Sequence, residues 1–249
     1  LLLRTTGAAA FAAFGAPGKL LAENVHENAI ARIKSRGVLT VAIFSEDVPP
    51  FFYSDPAGNF VGVDPEIAHD IARKLGVSLS FNRNATTFDA LIDEVIGGRA
   101  DMVISLLSDT LERAERVTFS DSYVSVRQFL LINRLELSRL LKSSGTGKSS
   151  VPSLLNDQKA KIGVIAGTSY VGFVREDFPN TQVAEYDNWD SMIADLKDRK
   201  LTALMYDEIE IGNWIMKEPA GALELRPYFL EGHPDTIAIA IRNEDRDLI

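Results

Sequence analysis

The segment FDALIDEVIGGRADMVI, starting at Phe88, returns 101 residues later as WDSMIADLKDRKLTALM, starting at Trp189. An aromatic residue, Asp, an arbitrary residue, an apolar residue and Ile occupy the same places in both. Each copy then leads past a basic residue into a short apolar run. A repeat of this kind implies two similar α/β lobes rather than one large sheet. With 249 residues, 46% of them hydrophobic, the chain has enough apolar surface to give each lobe its own core.

The rest of the chain supports that reading. Leu39 to Phe44 and Val77 to Phe81 are predicted strands, and a helix lies between them. Asp64, Pro65 and Glu66 read as its start, with Asp64 as N-cap. A helix over 88–96 stops at Gly97. Strands are predicted at 126–132, 161–166, 183–186, 201–206 and 236–242, with helices from Tyr170, Trp189 and Asp207 among them. Strand and helix alternate at the spacing of parallel sheets with crossover helices. The 135–153 region contains KSSGTGKSS, a predicted polar linker. Its Gly147-Lys148-Ser149 lacks the earlier glycine and the preceding buried strand that a phosphate-binding loop needs, so it is not one.

The chemistry concentrates in Ala100 to Tyr123. Met102, Val103 and Ile104 have the length of a buried strand. Ser105, Ser108, Asp109 and Thr110 follow, residues suited to a strand-to-helix turn and a helix N-cap. Arg113 then falls in the first helical turn, where the positive end of the helix favours anions. Backbone N–H groups, hydroxyls and a guanidinium would converge there on one negative group. Pairing of Arg113 with Glu112, Glu115 or Asp109 on the surface is the alternative. In open α/β sheets, ligands lie beyond the carboxyl ends of strands. Two facing lobes would bring together Ser105 to Arg113, Gly167 to Ser169, and Asp207.

Charge and composition remove other classes. Net charge is −9 and no basic stripe occurs, a poor basis for binding nucleic acid or anionic membrane. The sequence has no cysteine, which excludes disulfides, Cys–zinc sites and thiol nucleophiles. The three histidines are scattered, which argues against a His-based metal site or triad. No run of 18 apolar residues is present. Residues 1–22, rich in Ala, Leu, Phe and Gly, read as the remnant of an export signal, or else as an amphipathic helix.

The order RGVLTVAIFSEDVPPFFY, GVDPEIAHDIARKLGV, FDALIDEVIGGRADMVIS, SDTLERAERVTFSDSY, KIGVIAGTS and strand-end Asp207 resembles the extracytoplasmic amino-acid-binding proteins of ABC importers, the polar amino acid or family 3 solute-binding proteins. The resemblance covers residues 33–242. It implies an α/β protein with two Rossmann-like lobes joined by two hinge strands, a ligand cleft between them, and the type II periplasmic-binding fold. Lobe 1 would comprise 33–124 and 236–249, and lobe 2 would comprise 125–235. By resemblance, Ser108 and Arg113 hold a ligand α-carboxylate, and Thr168 and Ser169 offer donors from the second lobe. Asp207 takes the α-ammonium group, Phe88 packs on the ligand, and Phe51 stands at the cleft mouth; Ser105 lies in the same serine-rich turn. Core packing is the alternative for Phe88 and Phe51, and helix capping for Asp207.

The resemblance implies a monomeric, exported, periplasmic or extracytoplasmic receptor without cofactor or metal, not an enzyme. It would hand an amino acid or similar small carboxylate to a membrane permease. Val48 and Leu106 stand where many relatives carry an aromatic and a small polar residue. That less polar pocket argues against a basic amino acid. The start at Leu1 and the stop at Ile249 read as truncations. Two alternatives are a dehydratase on the same scaffold acting on prephenate-like acids, and the ligand-binding part of a membrane sensor or ligand-gated channel.

Overall fold

The computed structural model describes residues 28–143, 150–232 and 234–249. The segment read as an export signal, and most of KSSGTGKSS, lie outside the described residues. Chain order begins with α1 (Ala29–Arg36), β1 (Val38–Ala42), β2 (Tyr53–Ser54), β3 (Phe60–Val61), α2 (Val63–Leu75), β4 (Ser78–Asn82) and α3 (Phe88–Ile96). It continues through β5 (Met102–Val103), α4 (Leu111–Ala114) and β6 (Thr118–Phe119). These elements, with β14 (Ala240–Ile241) returning from the C-terminal end, form a sheet of order β4-β1-β5-β14-β6. Its two faces are covered by separate apolar clusters, one around Leu91, Ile92 and Leu107, the other around Ile33, Leu39 and Ala68. A strand buried on both faces reads as a nearly continuous apolar run, as β1 and β5 do.

The second lobe contains β8 (Gln128–Asn133), α5 (Arg134–Ser143), α6 (Val151–Leu155), β9 (Lys161–Ile165), α7 (Tyr170–Asp177) and β10 (Gln182–Tyr186). Then come α8 (Trp189–Lys197), β11 (Ala203–Asp207), α9 (Glu208–Lys217) and β12 (Leu225–Phe229), giving the order β10-β9-β11-β8-β12. The two orders correspond strand for strand. The repeat reaches into the details of each copy. Thr87 caps α3 by accepting from Ala90 N, and Asn188 caps α8 by accepting from Ser191 N. Each helix is followed by a residue with positive φ, Gly98 at 69° and Arg199 at 64°.

Four expectations need correction. The sheets are mixed, because β14 and β6, and β8 and β12, are joined to their neighbours by antiparallel pairing. The predicted linker over 135–153 contains α5 and α6 on either side of the undescribed residues. The final strand is two, β13 (Asp235–Ile237) and β14, since β13 leaves the sheet to pair with β7 (Val124–Val126). Asp64 does not cap α2. Gly62 holds the cap position at φ 129°, packed so closely on Phe51 O that a Cβ there would lie 2.2 Å from it. Asp64 turns inward instead and is fully buried. Among the described residues, no helix is long and apolar enough to cross a membrane.

Candidate functional site

β7 and β13 cross between the lobes as an antiparallel pair, with Asp235 opposite Val126 and Ile237 opposite Val124. Ser108 bridges to Ile237 at the end of this pair. The turns after β5, β9 and β11 therefore face one another. Asp89 N of lobe 1 donates to Gly167 O of lobe 2 at 3.1 Å, so the lobes touch here.

Arg113 is the third residue of α4 and is only 6% exposed. Thr110 caps the helix by accepting from Arg113 N. The guanidinium donates through Nε and Nη2 to Asp89 Oδ1 at 3.1 and 2.8 Å, and through Nη1 to Ser108 O at 3.1 Å. None of Glu112, Glu115 and Asp109 pairs with it. Ser108 Oγ donates to Asp235 Oδ2 at 3.0 Å and lies 2.9 Å from Ser169 Oγ of the other lobe. Thr168 Oγ1 donates to Ile165 O and so braces its own turn.

A small cavity of about 20 Å³ lies between the lobes. Phe88, Ser108, Arg113, Thr168, Ser169 and Asp207 all line it, six residues that the sequence brings to one cleft. Phe51 and Ser105 do not. Phe51 is buried in the lobe 1 core, where it supports Gly62, and Ser105 is fully buried with its Oγ accepting from Phe44 N. Both serve the scaffold behind the cleft.

Asp207 ends β11 and caps α9, its Oδ1 accepting from Ile209 N and Glu210 N, both at 2.8 Å. Burial pushes its carboxyl up to about 6 against these two bonds. Neither bond uses Oδ2. Asp235 was not singled out from the sequence, where it stands only at the expected boundary between the lobes. It is 4% exposed and lines the same cavity. Burial pushes its carboxyl up to about 7; the Ser108 hydroxyl and the Arg113 charge oppose this, and Asp207 and Asp109 add to it.

A second cavity of about 390 Å³ adjoins the first at Phe88, Thr168 and Tyr206. Four acids line it: Glu46, Asp47, Asp187 and Glu210. Asp47 pairs with Arg83, whereas Glu46 and Asp187 have no ion pair among the described residues. Phe44 stacks on Phe88 at 4.8 Å, and Trp189 meets Tyr206 edge-on at 5.6 Å. Val48 lines this cavity and Leu106 the smaller one, as the sequence suggested, but the wall of the larger cavity also carries four acids among its apolar residues. No cluster of potential metal ligands occurs among the described residues.

Comparison with known proteins places this geometry. The profile of the bacterial extracellular solute-binding proteins, family 3, matches residues 39–209. The lysine/arginine/ornithine-binding periplasmic protein of Escherichia coli is 27% identical over 210 residues, 80% of this chain and 74% of that protein. A mutant of ArgBP from T. maritima superposes with a TM-score of 0.67 at 30% identity, covering 88% of each chain. AbpA from Streptococcus pneumoniae, an amino acid ABC transporter substrate-binding protein bound to L-arginine, has a TM-score of 0.66 at 26% identity, covering 87% of this chain and 90% of that one.

Proposed function

We propose that this chain, which belongs to the bacterial extracellular solute-binding proteins, family 3, is a receptor that closes two lobes over a cationic amino acid and delivers it, unchanged, to the permease of an ABC importer. The observation that carries the reading is the charge layout of the cleft. Arg113 stands at one end, Asp207 faces it across a small cavity, and an acidic wall with two aromatic contacts extends beyond. The lobes would close as a flytrap outside the cytoplasmic membrane, and the export-signal reading of residues 1–22 fits that location. A monomer suffices, because both halves of the cleft come from one chain.

Each part of such a ligand has a counterpart. The guanidinium edge of Arg113 not engaged by Asp89 matches a carboxylate fork to fork. Asp207 Oδ2 accepts from the α-ammonium group. The side-chain cation enters the second cavity, where Glu46, Asp187 and Glu210 supply negative charge and Phe44 or Trp189 supplies a ring face. In a closed cleft these attractions act at reduced dielectric, but only while every charge is paired.

Calorimetry with arginine, lysine, ornithine, glutamine and glutamate tests the reading, and mass spectrometry of the recovered ligand tests the absence of turnover. Tightest binding by a cationic amino acid, recovered intact, is expected. Preference for glutamate or glutamine would sink the acidic-wall reading, and chemical change of the ligand would sink the receptor reading.

A further inference from the structure

Ser108 stands where a ligand carboxylate is to be bound, yet its hydroxyl is already committed. A serine hydroxyl carries one proton. That proton goes to Asp235 Oδ2 at 3.0 Å, and the Ser169 hydroxyl of the opposite lobe, 2.9 Å away, is the remaining neighbour. While Asp235 is a carboxylate, Ser108 can only accept from anything else. A ligand carboxylate, which can only accept as well, would meet oxygen lone pairs there and a second negative charge behind them.

We propose that Asp235 is a positioning residue that sets the direction of the Ser108 hydroxyl, so that capture of a ligand carboxylate brings one proton from solvent onto Asp235. Resting on the amino-acid reading above, this adds to it a proton that travels with the ligand. As a carboxylic acid, Asp235 donates its own O–H to Ser108 Oγ. Ser108 then turns its single proton to the ligand. No covalent bond forms or breaks apart from the O–H on Asp235.

The surroundings favour that exchange. Asp235 lies on β13, in the β7–β13 crossing, so closure buries it between the lobes. Arg113 on α4 attracts its charge, while Asp207 at the end of β11 and Asp109 before α4 repel it. Tyr170 on α7 brings a neutral hydroxyl within 3.5 Å of Oδ2, and half-buried Tyr206 on β11 stays neutral, its phenol held well above its ordinary value mainly by desolvation. Among the described residues Arg113 is thus the one cation in the group, and it is the residue a ligand carboxylate engages. Once engaged, its help to Asp235 weakens and the protonated form gains further.

The sign is definite. With the lobes apart, Asp235 titrates nearer the ordinary carboxylate value, about 4. In the closed cleft it titrates at about 7. Between these values binding takes up a proton, and affinity falls by up to about tenfold per pH unit as pH rises. Asp207 exchanges little, because an arriving ammonium keeps it a carboxylate as the cleft closes.

The test is calorimetry with L-arginine near pH 6 in buffers of different ionisation enthalpy, which counts protons exchanged per ligand. Asp235→Asn should take up about one proton fewer than the parent and should flatten the fall of affinity with pH. Asparagine keeps the shape and an acceptor for Ser108; Asp235→Ser is the second variant should Asp235→Asn misfold. An equal proton count in parent and folded variant overturns the proposal and leaves the receptor reading intact. No binding of any cationic amino acid by the parent overturns both.

Discussion

Leu106 sits at φ 45°, a conformation unfavourable for a side chain with a Cβ by roughly 1–2 kcal/mol. Asp64 holds it there, with Oδ2 accepting from Leu106 N at 2.8 Å and Oδ1 from Tyr123 Oη at 3.0 Å. Burial pushes the Asp64 carboxyl up to about 7, although both bonds oppose the shift. The folded protein therefore binds this proton more tightly than the unfolded chain, whose carboxylate titrates at about 4. This contribution to stability is full below about pH 4 and is lost as pH rises to about 7. Asp64→Asn should narrow the difference in melting temperature between pH 5 and pH 8, and an unchanged difference would assign the dependence to other groups. Asp64→Ala leaves two buried polar groups unpaired and should cost about 3 kcal/mol in denaturant unfolding. At the cleft, Arg113→Ala should weaken ligand binding by roughly 10²- to 10³-fold, because a buried carboxylate loses its bidentate partner. Arg113→Lys should recover little of this, since an ammonium lacks the planar fork. Calorimetry on both variants decides, and unchanged affinity in Arg113→Ala would move the anion site elsewhere. Asp207→Asn still caps α9 and should fold. It should also largely erase the preference for an amino acid over its deaminated analogue, whereas a purely capping Asp207 would leave that preference intact.

At the scale of elements, the main chains of the two lobes meet where the β9–α7 turn lies against the start of α3. Gly167 has φ 69°, and a Cβ built on it would lie 2.7 Å from Thr87 Cβ, nearer than two carbons can sit. Gly167→Ala should therefore hinder closure more than it hinders folding. Affinity should fall tenfold or more, while stability drops only by the roughly 1–2 kcal/mol of the backbone strain; equal affinity would mean that the lobes meet elsewhere. The sequence brought Gly167 to Ser169 to the cleft, but the contact of Gly167 with Thr87 was not legible in it. The elements beside it were legible. The predicted helices at 88–96, 170–177 and 189–197 match α3, α7 and α8 because apolar periodicity fixes them locally, with Thr87 and Asn188 capping α3 and α8. β12 was missed because Pro227 argues against a strand, and a proline is tolerated there only because β12 is an edge. Asp64 carries the local pattern of an N-cap, and tertiary contacts overrode it once Gly62 made the entry turn. Asp235 becomes a site residue only when β7 and β13 pair, and no local pattern encodes that pairing.

For the whole molecule, the question is whether the lobes move as bodies. Each sheet has apolar clusters on both faces drawn wholly or nearly wholly from its own lobe, so each lobe keeps its packing whatever the other does. The main-chain crossing between them is the short β7–β13 pair. Across the cleft the contacts among the described residues are few, including Asp89 N to Gly167 O, Ser108 Oγ to Ser169 Oγ and Ile209 of α9 against the lobe 1 core, with Phe88 and Tyr206 on opposite walls. Contacts this sparse in water contribute only about 1 kcal/mol each, too little to hold the lobes together without a ligand that both contact. A ligand bridging Arg113 on one lobe and Asp207 on the other adds charge pairs that exist only when the lobes meet. Binding and closure are then one equilibrium, shifted by the ligand's differential affinity for the closed form. Small-angle scattering should show a smaller radius of gyration at saturating arginine than without it. Gly167→Ala should lessen that contraction at the same occupancy. If the radius does not change although arginine binds, the lobes are already closed in its absence, and the hinge assigned to β7 and β13 has no part in capture.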